Sequence, residues 1–123
     1  MKRRVLIVDD EADITEALKA GLGRRGFEVT TFNDPKEALA DYRPDAYDVS
    51  ILDIRMPGIS GFELYREMRK IDGRAIVCFL TAFEVHREEF EKMFPDVKVG
   101  AFLKKPITLD RLALSLNELL SKG

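Results

Sequence analysis

The sequence predicts an open α/β fold: a doubly wound, five-stranded parallel sheet with five helices on its two faces. Three observations carry this. Five short apolar runs alternate strictly with five segments of helical spacing along 123 residues. The central run, Val49-Ser50-Ile51-Leu52, reads as apolar on both faces, as suits a strand enclosed between helix layers. No linker, repeat or low-complexity segment breaks the alternation, so residues 1–123 read as one domain.

Arg4 to Val8 is a buried-strand run ending in Asp9-Asp10-Glu11. Ile14, Ala17, Leu18, Gly21 and Leu22 then recur at helical spacing. Asp13 with Glu16 has the capping-box pattern, a start one residue earlier being the alternative, and Gly26 stops the helix. Phe27 to Phe32 alternates as a strand nearer an edge. The second helix opens with Asp34 as N-cap, Pro35 at its first position and Glu37 closing the box. Val49 to Leu52 runs directly into Asp53, and the chain turns at Pro57-Gly58. Ser60 with Glu63 opens a third helix, striped by Phe62, Leu64, Tyr65 and Met68 and ended by Gly73. Ala75 to Leu80 is the fourth strand, terminating at Thr81-Ala82. Glu84 to Phe94 is a polar helix stopped by Pro95, and Val97 to Leu103 is the fifth strand, ending at Lys104-Lys105-Pro106. Thr108 or Asp110 caps a last helix whose leucines face the core. Strict alternation with right-handed crossovers is the flavodoxin-like class, with strand order 2-1-3-4-5.

Composition excludes several functions. A net charge of −2 gives no global reason to bind nucleic acid, and Lys2-Arg3-Arg4 reads as a solvated lead-in to the first strand. No apolar run approaches the roughly 20 residues of a membrane span, and the chain enters a strand without a signal-peptide pattern. The single cysteine, Cys78, rules out an internal disulfide framework and fits a reducing cytoplasm. His86, the only histidine, stands among Arg87, Glu88 and Glu89 as a solvated residue.

The chemistry lies at the carboxyl end of each buried strand. The first ends in Asp9-Asp10, the third in Asp53, the fourth in Thr81 and the fifth in Lys105. In a parallel sheet these ends share one edge, so three carboxylates, a hydroxyl and an ammonium converge there. Taken singly, each has an ordinary role as a cap, turn or surface residue; it is their joint arrival that points to a site. Clustered carboxylates need a cation, and hard oxygen ligands favour Mg2+. A carboxylate beside that cation, with a lysine and a hydroxyl near, can receive a phosphoryl group: Asp53 is the nucleophile.

These residues resemble the receiver domain of two-component response regulators over the whole chain. The resemblance rests on Val8-Asp9-Asp10-Glu11, on Leu52-Asp53-Ile54-Arg55-Met56-Pro57-Gly58-Ile59-Ser60-Gly61, on Leu80-Thr81-Ala82 and on Phe102-Leu103-Lys104-Lys105-Pro106. It implies that Asp53 takes the phosphoryl group from a phosphohistidine on a sensor histidine kinase or phosphotransfer protein. Asp10 then resembles the direct Mg2+ ligand, Asp9 a partner acting through water, and the main-chain carbonyl of Arg55 the remaining protein ligand. Thr81 and Lys105 match the switch hydroxyl and the phosphate-binding lysine. Lys105 is preferred over Lys104 because it directly precedes Pro106, in a bond the family usually has cis. Phe102 matches the aromatic switch, here without a hydroxyl. Phosphorylation would draw Thr81 inward, turn Phe102 into the vacated space and alter the surface of the fourth helix, fifth strand and fifth helix.

Several features depart from the family or stay open. Ala101 stands where an acidic residue often precedes the switch aromatic, which weakens the expectation of the family's dimer contacts and leaves a monomer or weak dimer. Phe94-Pro95-Asp96-Val97-Lys98 resembles a slight insertion. Ile14 and Ala17 belong either to the core or to the end of the first helix where the family docks its kinase. The chain ends after its fifth helix, so the expectation is a single-domain regulator acting on a protein target, or a receiver whose output domain is missing. The resemblance implies a signalling module that assists only its own phosphotransfer and dephosphorylation. A phosphohydrolase of the haloacid dehalogenase type wants a second Asp where Arg55 stands. A flavodoxin-like cofactor binder wants a glycine- and hydroxyl-rich loop where Asp9-Asp10-Glu11 stands. A degenerate scaffold would lack the complete site.

In the family, two positions flanking the site tune phosphate lifetime, and here they are the bulky Arg55 and Phe83. If they hinder the hydrolytic water, a variant carrying Arg55→Ala and Phe83→Ala releases phosphate several-fold faster. Single-exponential decay of the phosphoprotein measures it.

Overall fold

The structure is a computed structural model and describes residues 2–82, 92 and 101–121. Its elements are β1 (Arg4–Val8), α1 (Ala12–Arg24), β2 (Glu28–Phe32), α2 (Pro35–Asp41), β3 (Val49–Leu52), α3 (Gly61–Ile71), β4 (Val77–Thr81), β5 (Ala101–Lys104) and the last helix, α4 (Leu109–Ser121). The helix expected over residues 84–94 lies outside the described residues, as do the first residues of the expected fifth strand, Phe83, His86 and the suggested insertion.

The five strands form one parallel sheet in the order β2-β1-β3-β4-β5. Successive strand residues face opposite sides, so each strand supplies two cores. Leu6, Val8, Leu52 and Phe79 face α2 and α3, meeting Ala38, Leu64, Tyr65 and Met68. Val5, Ile7, Ile51 and Leu80 face α1 and α4, meeting Leu22, Leu112 and Leu116. β3 and β4 are buried at every residue, which is why they read as unbroken apolar runs, whereas β2 at the edge is partly exposed. Cys78 is fully buried, and burial pushes its thiol up to about 12, so it is an inert core residue. Ile14 packs on the core, while Ala17 is exposed. Among the described residues no helix is long and apolar enough to cross a membrane.

Local capping chemistry sets most of the boundaries. The Asp34 side chain accepts from Lys36 N–H at 2.9 Å with Pro35 next, and Ser60 Oγ accepts from Glu63 N–H at 3.1 Å. Thr108 rather than Asp110 caps α4, accepting from Arg111 N–H at 3.2 Å; Asp110 is left to pair with Arg25. Gly26 ends α1 in the left-handed region, at φ +91°, with Phe27 N–H donating to Leu22 O. Two expectations are revised. α1 begins at Ala12 with Glu11 at the N-cap and no side-chain cap bond, so Asp13 lies inside the first turn. The earlier start follows from Asp9, whose carboxylate takes the Glu11 N–H at 2.9 Å and turns the chain there. Likewise α3 is closed before Gly73, by Asp72, whose N–H donates to Met68 O at 2.8 Å.

Lower in the sheet, Arg4 does more than lead in. Its main-chain N–H donates to Asp48 at 2.7 Å and its guanidinium pairs with the same carboxylate. Burial pushes Asp48 up, but these bonds outweigh it and hold the carboxyl below its usual range.

Gly61 is required by a close approach. A Cβ there would collide with the main-chain carbonyl oxygen of Asp53 and stand 3.0 Å from Ile54 Cα, and backbone cannot yield as a side-chain tip can. Gly61→Ala is therefore expected to destabilise the protein by roughly 1–3 kcal/mol or more. Gly73→Ala, where a Cβ meets nothing within 4 Å, should be near neutral. Urea denaturation of the two variants measures the contrast.

Candidate metal and phosphoryl site

Strand ends build the site. The order of the strands reverses on either side of β1, and the crevice outside the carboxyl ends at such a point is where open α/β sheets hold ligands. Main-chain bonds tie the ends together: Asp9 N–H donates to Phe32 O at 3.1 Å, Asp53 N–H to Val8 O at 3.0 Å and Lys105 N–H to Thr81 O at 2.8 Å. Each functional side chain leaves the sheet one or two residues beyond, or at, the last residue of its strand.

The side chains converge as expected. Carboxylate oxygens of Asp9, Asp10 and Asp53 all lie within 4.8 Å of one another; Asp9 and Asp53 are buried and Asp10 is exposed. Lys105 Nζ donates to Asp9 Oδ2 at 2.6 Å and to Asp53 Oδ2 at 3.4 Å, so one ammonium bridges two of the three charges. Asp53 Oδ1 accepts from Ile54 N–H at 2.8 Å, which leaves Oδ2 as the oxygen facing the cluster. Burial, then the charge of Asp9, push the Asp53 carboxyl above its ordinary value, and Lys105 offsets this only in part. For Lys105, burial pulls down, but hydrogen bonding and attraction to Asp9, then Asp53, hold its ammonium above the ordinary lysine value.

Thr81 is buried at the end of β4. Two residues back on the same face, Phe79 stacks on Phe102 with ring centres 5.4 Å apart and meets Phe62 edge-on at 5.0 Å. Phe102 is half-buried against this core. Lys104 and Arg55 are exposed, and the Lys105–Pro106 bond is cis. Gly58 turns the loop after Asp53 at φ +93°. One contributor carried no signal in the sequence: Asn33, whose side-chain nitrogen donates to Asp9 O and to Thr15 Oγ1, both at 2.9 Å. An asparagine before a helix cap suits a turn, so only its reach across to β1 distinguishes it.

The donor set fits a hard divalent cation. Three carboxylates face one ammonium, all the donors are oxygens, and the exposed Asp10 leaves the cluster open to water.

The chain is similar to known proteins in sequence and in fold. The family model described as response regulator receiver domain matches residues 5–117. The transcriptional regulatory protein PrrA of Mycobacterium tuberculosis is 35% identical over 121 residues, covering 97% of this chain and 50% of that protein. The regulatory protein AtoC of Escherichia coli is 37% identical over 116 residues, covering 90% of this chain and 24% of that protein. The chain thus spans half or less of the length of these curated relatives. Among solved structures, the non-phosphorylated HemR receiver domain of Leptospira biflexa superposes with a TM-score of 0.85 at 30% identity, covering 98% of this chain and 95% of that one. The response regulator TrrA of Thermotoga maritima, in complex with Mg2+ and BeF, gives 0.79 at 35% identity, covering 95% and 98%.

The raised Asp53 carboxyl has a consequence for stability. Below the ordinary aspartate value of 3.8, Asp53 is protonated in both folded and unfolded chains and its contribution is fully present. As pH rises through the higher folded value, that contribution is lost. Asn mimics the protonated form, so in chelator Asp53→Asn should melt a few degrees above the parent at pH 7. The gap should shrink as pH falls toward 4. Thermal melts across this range check it.

Proposed function

We propose, since this chain belongs to the response regulator receiver domain family, that Asp53 is the residue on which it accepts a phosphoryl group. The chain is a phosphorelay signal receiver. The observation that carries the assignment of Asp53 is the division of labour at its carboxylate: Oδ1 is held by Ile54 N–H while Oδ2 faces Asp9 and Lys105.

In the step we infer, Asp53 Oδ2 bonds to phosphorus as the phosphorus–nitrogen bond of a donor phosphohistidine breaks. The electron pair of that bond stays on the imidazole. Asp10, Asp9, Asp53 and the main-chain carbonyl of Arg55 would hold Mg2+, which supplies positive charge to the transferring phosphoryl oxygens. Lys105, already between Asp9 and Asp53, is within a short swing of those oxygens and adds a charge-assisted hydrogen bond. Thr81 donates its hydroxyl to the new phosphoryl group. Its withdrawal lets Phe102 shift on Phe79, which carries the change to the surface beside β5 and α4. The donor is a sensor histidine kinase or phosphotransfer protein in the cytoplasm, and the listener is a protein target or an output domain. The arrangement suits signalling, with catalysis confined to the domain's own phosphorylation and dephosphorylation.

Incubation of the chain with acetyl phosphate and Mg2+, followed by intact mass, is expected to add one phosphoryl group. EDTA and Asp53→Asn should each abolish the gain. A phosphoryl adduct that survives Asp53→Asn would assign the acceptor elsewhere.

A further inference from the structure

Asp10 presents a problem of placement. Its carboxylate is one of three that converge, yet among the described residues it has no hydrogen bond or ion pair of its own. Its two neighbours in the cluster are held by Lys105, and Asp53 also by Ile54 N–H. Repulsion should therefore drive the exposed Asp10 outward into water unless the main chain beneath it is fixed. Glu11 gives the start of α1 no side-chain cap, and Asp9 Oδ1 ties only the Glu11 N–H, a single bond from within the acidic loop.

Asn33 supplies the grip. It stands between the end of β2 and the cap of α2, and the hydrogens of its side-chain nitrogen go one to the acidic loop and one to the first turn of α1. One bond takes the carbonyl of Asp9, immediately before Asp10. The other takes the hydroxyl of Thr15, which is 1% exposed and donates onward to Ala12 O at 3.0 Å. Main-chain carbonyls on both sides of Asp10 are thus tied, directly or through Thr15, to one amide. Asn33 and Asp10 line the same groove of about 310 Å³.

We propose that Asn33 is a positioning residue for the divalent cation: its amide clamps the acidic loop so that Asp10 stays in the cluster despite repulsion. This rests on the reading of Asp9, Asp10 and Asp53 as a cation site. Charge alone predicts the opposite sign for one substitution. Asn33→Asp adds a negative group beside the cluster, which would tighten Mg2+ binding if only charge mattered, but a carboxylate cannot donate to Asp9 O.

Calorimetric titration of the whole chain with Mg2+ decides it. Asn33→Ala is expected to raise the Kd about tenfold, as loss of a group supporting a metal ligand does. Asn33→Asp should also raise it. Leu120→Ala, in the remote core against α1, should lower Tm at least as much while leaving the Kd unchanged. Should Asn33→Ala fail to fold, the isosteric Thr15→Val removes one of the two acceptors and should raise the Kd about threefold. An unchanged Kd in Asn33→Ala or, in its place, Thr15→Val overturns the proposal, as does tighter binding by Asn33→Asp or an equal rise in Leu120→Ala. A parent protein that does not bind Mg2+ overturns the cation site itself, a result visible before any variant is compared.

Discussion

Three carboxylates held within 4.8 Å of one another, with one ammonium between two of them, are the constraint on which the rest of this molecule depends. Such a cluster is electrostatically unfavourable by itself, and the Asp53 carboxyl is raised by burial first and by the charge of Asp9 second. A folded chain tolerates it only where other interactions overrule it. Here the overruling interactions are apolar. The two strands nearest the centre are buried at every residue, and each buried Leu, Ile or Phe contributes roughly 1.5–3 kcal/mol. The core fixes the strand ends, and the strand ends hold charges that would otherwise separate.

That tension is also what makes the site usable. A cation relieves it, and so does any change that spreads or neutralises the charge at Asp53. Lys105 sits closer to Asp9, at 2.6 Å, than to Asp53, at 3.4 Å, so its stronger bond is to Asp9. Thr81 and Phe79 share one face of β4 and Phe79 stacks on Phe102, so packing is continuous from the carboxyl end of β4 to β5.

Much of this could be read from the residues in order. Unbroken apolar runs mark strands buried on both faces, and the polar residue that ends each run marks the sheet's carboxyl edge. Caps are equally local: Asp34, Ser60 and Thr108 each bond an N–H two or three residues ahead. Where a local pattern misled, a group from the edge of the site intervened. The Asp13–Glu16 pattern resembles a cap, but Asp9 turns the chain first, so the helix starts earlier.

By itself, then, the sequence determined the order of the described strands and helices and the identity of the converging residues, because periodicity, capping and turn chemistry depend on near neighbours; the preference for Lys105 rested on the family resemblance. Only the tertiary structure decided how those residues divide their work. The bridging of Asp53 to Asp9 by Lys105 and the grip of Asn33 on Asp9, 24 residues away, arise between loops from different strands, while the absence of room for a Cβ at Gly61 arises where the chain after β3 folds back on Asp53. Their relative placement is set by packing of the whole sheet, and no short pattern along the chain encodes it.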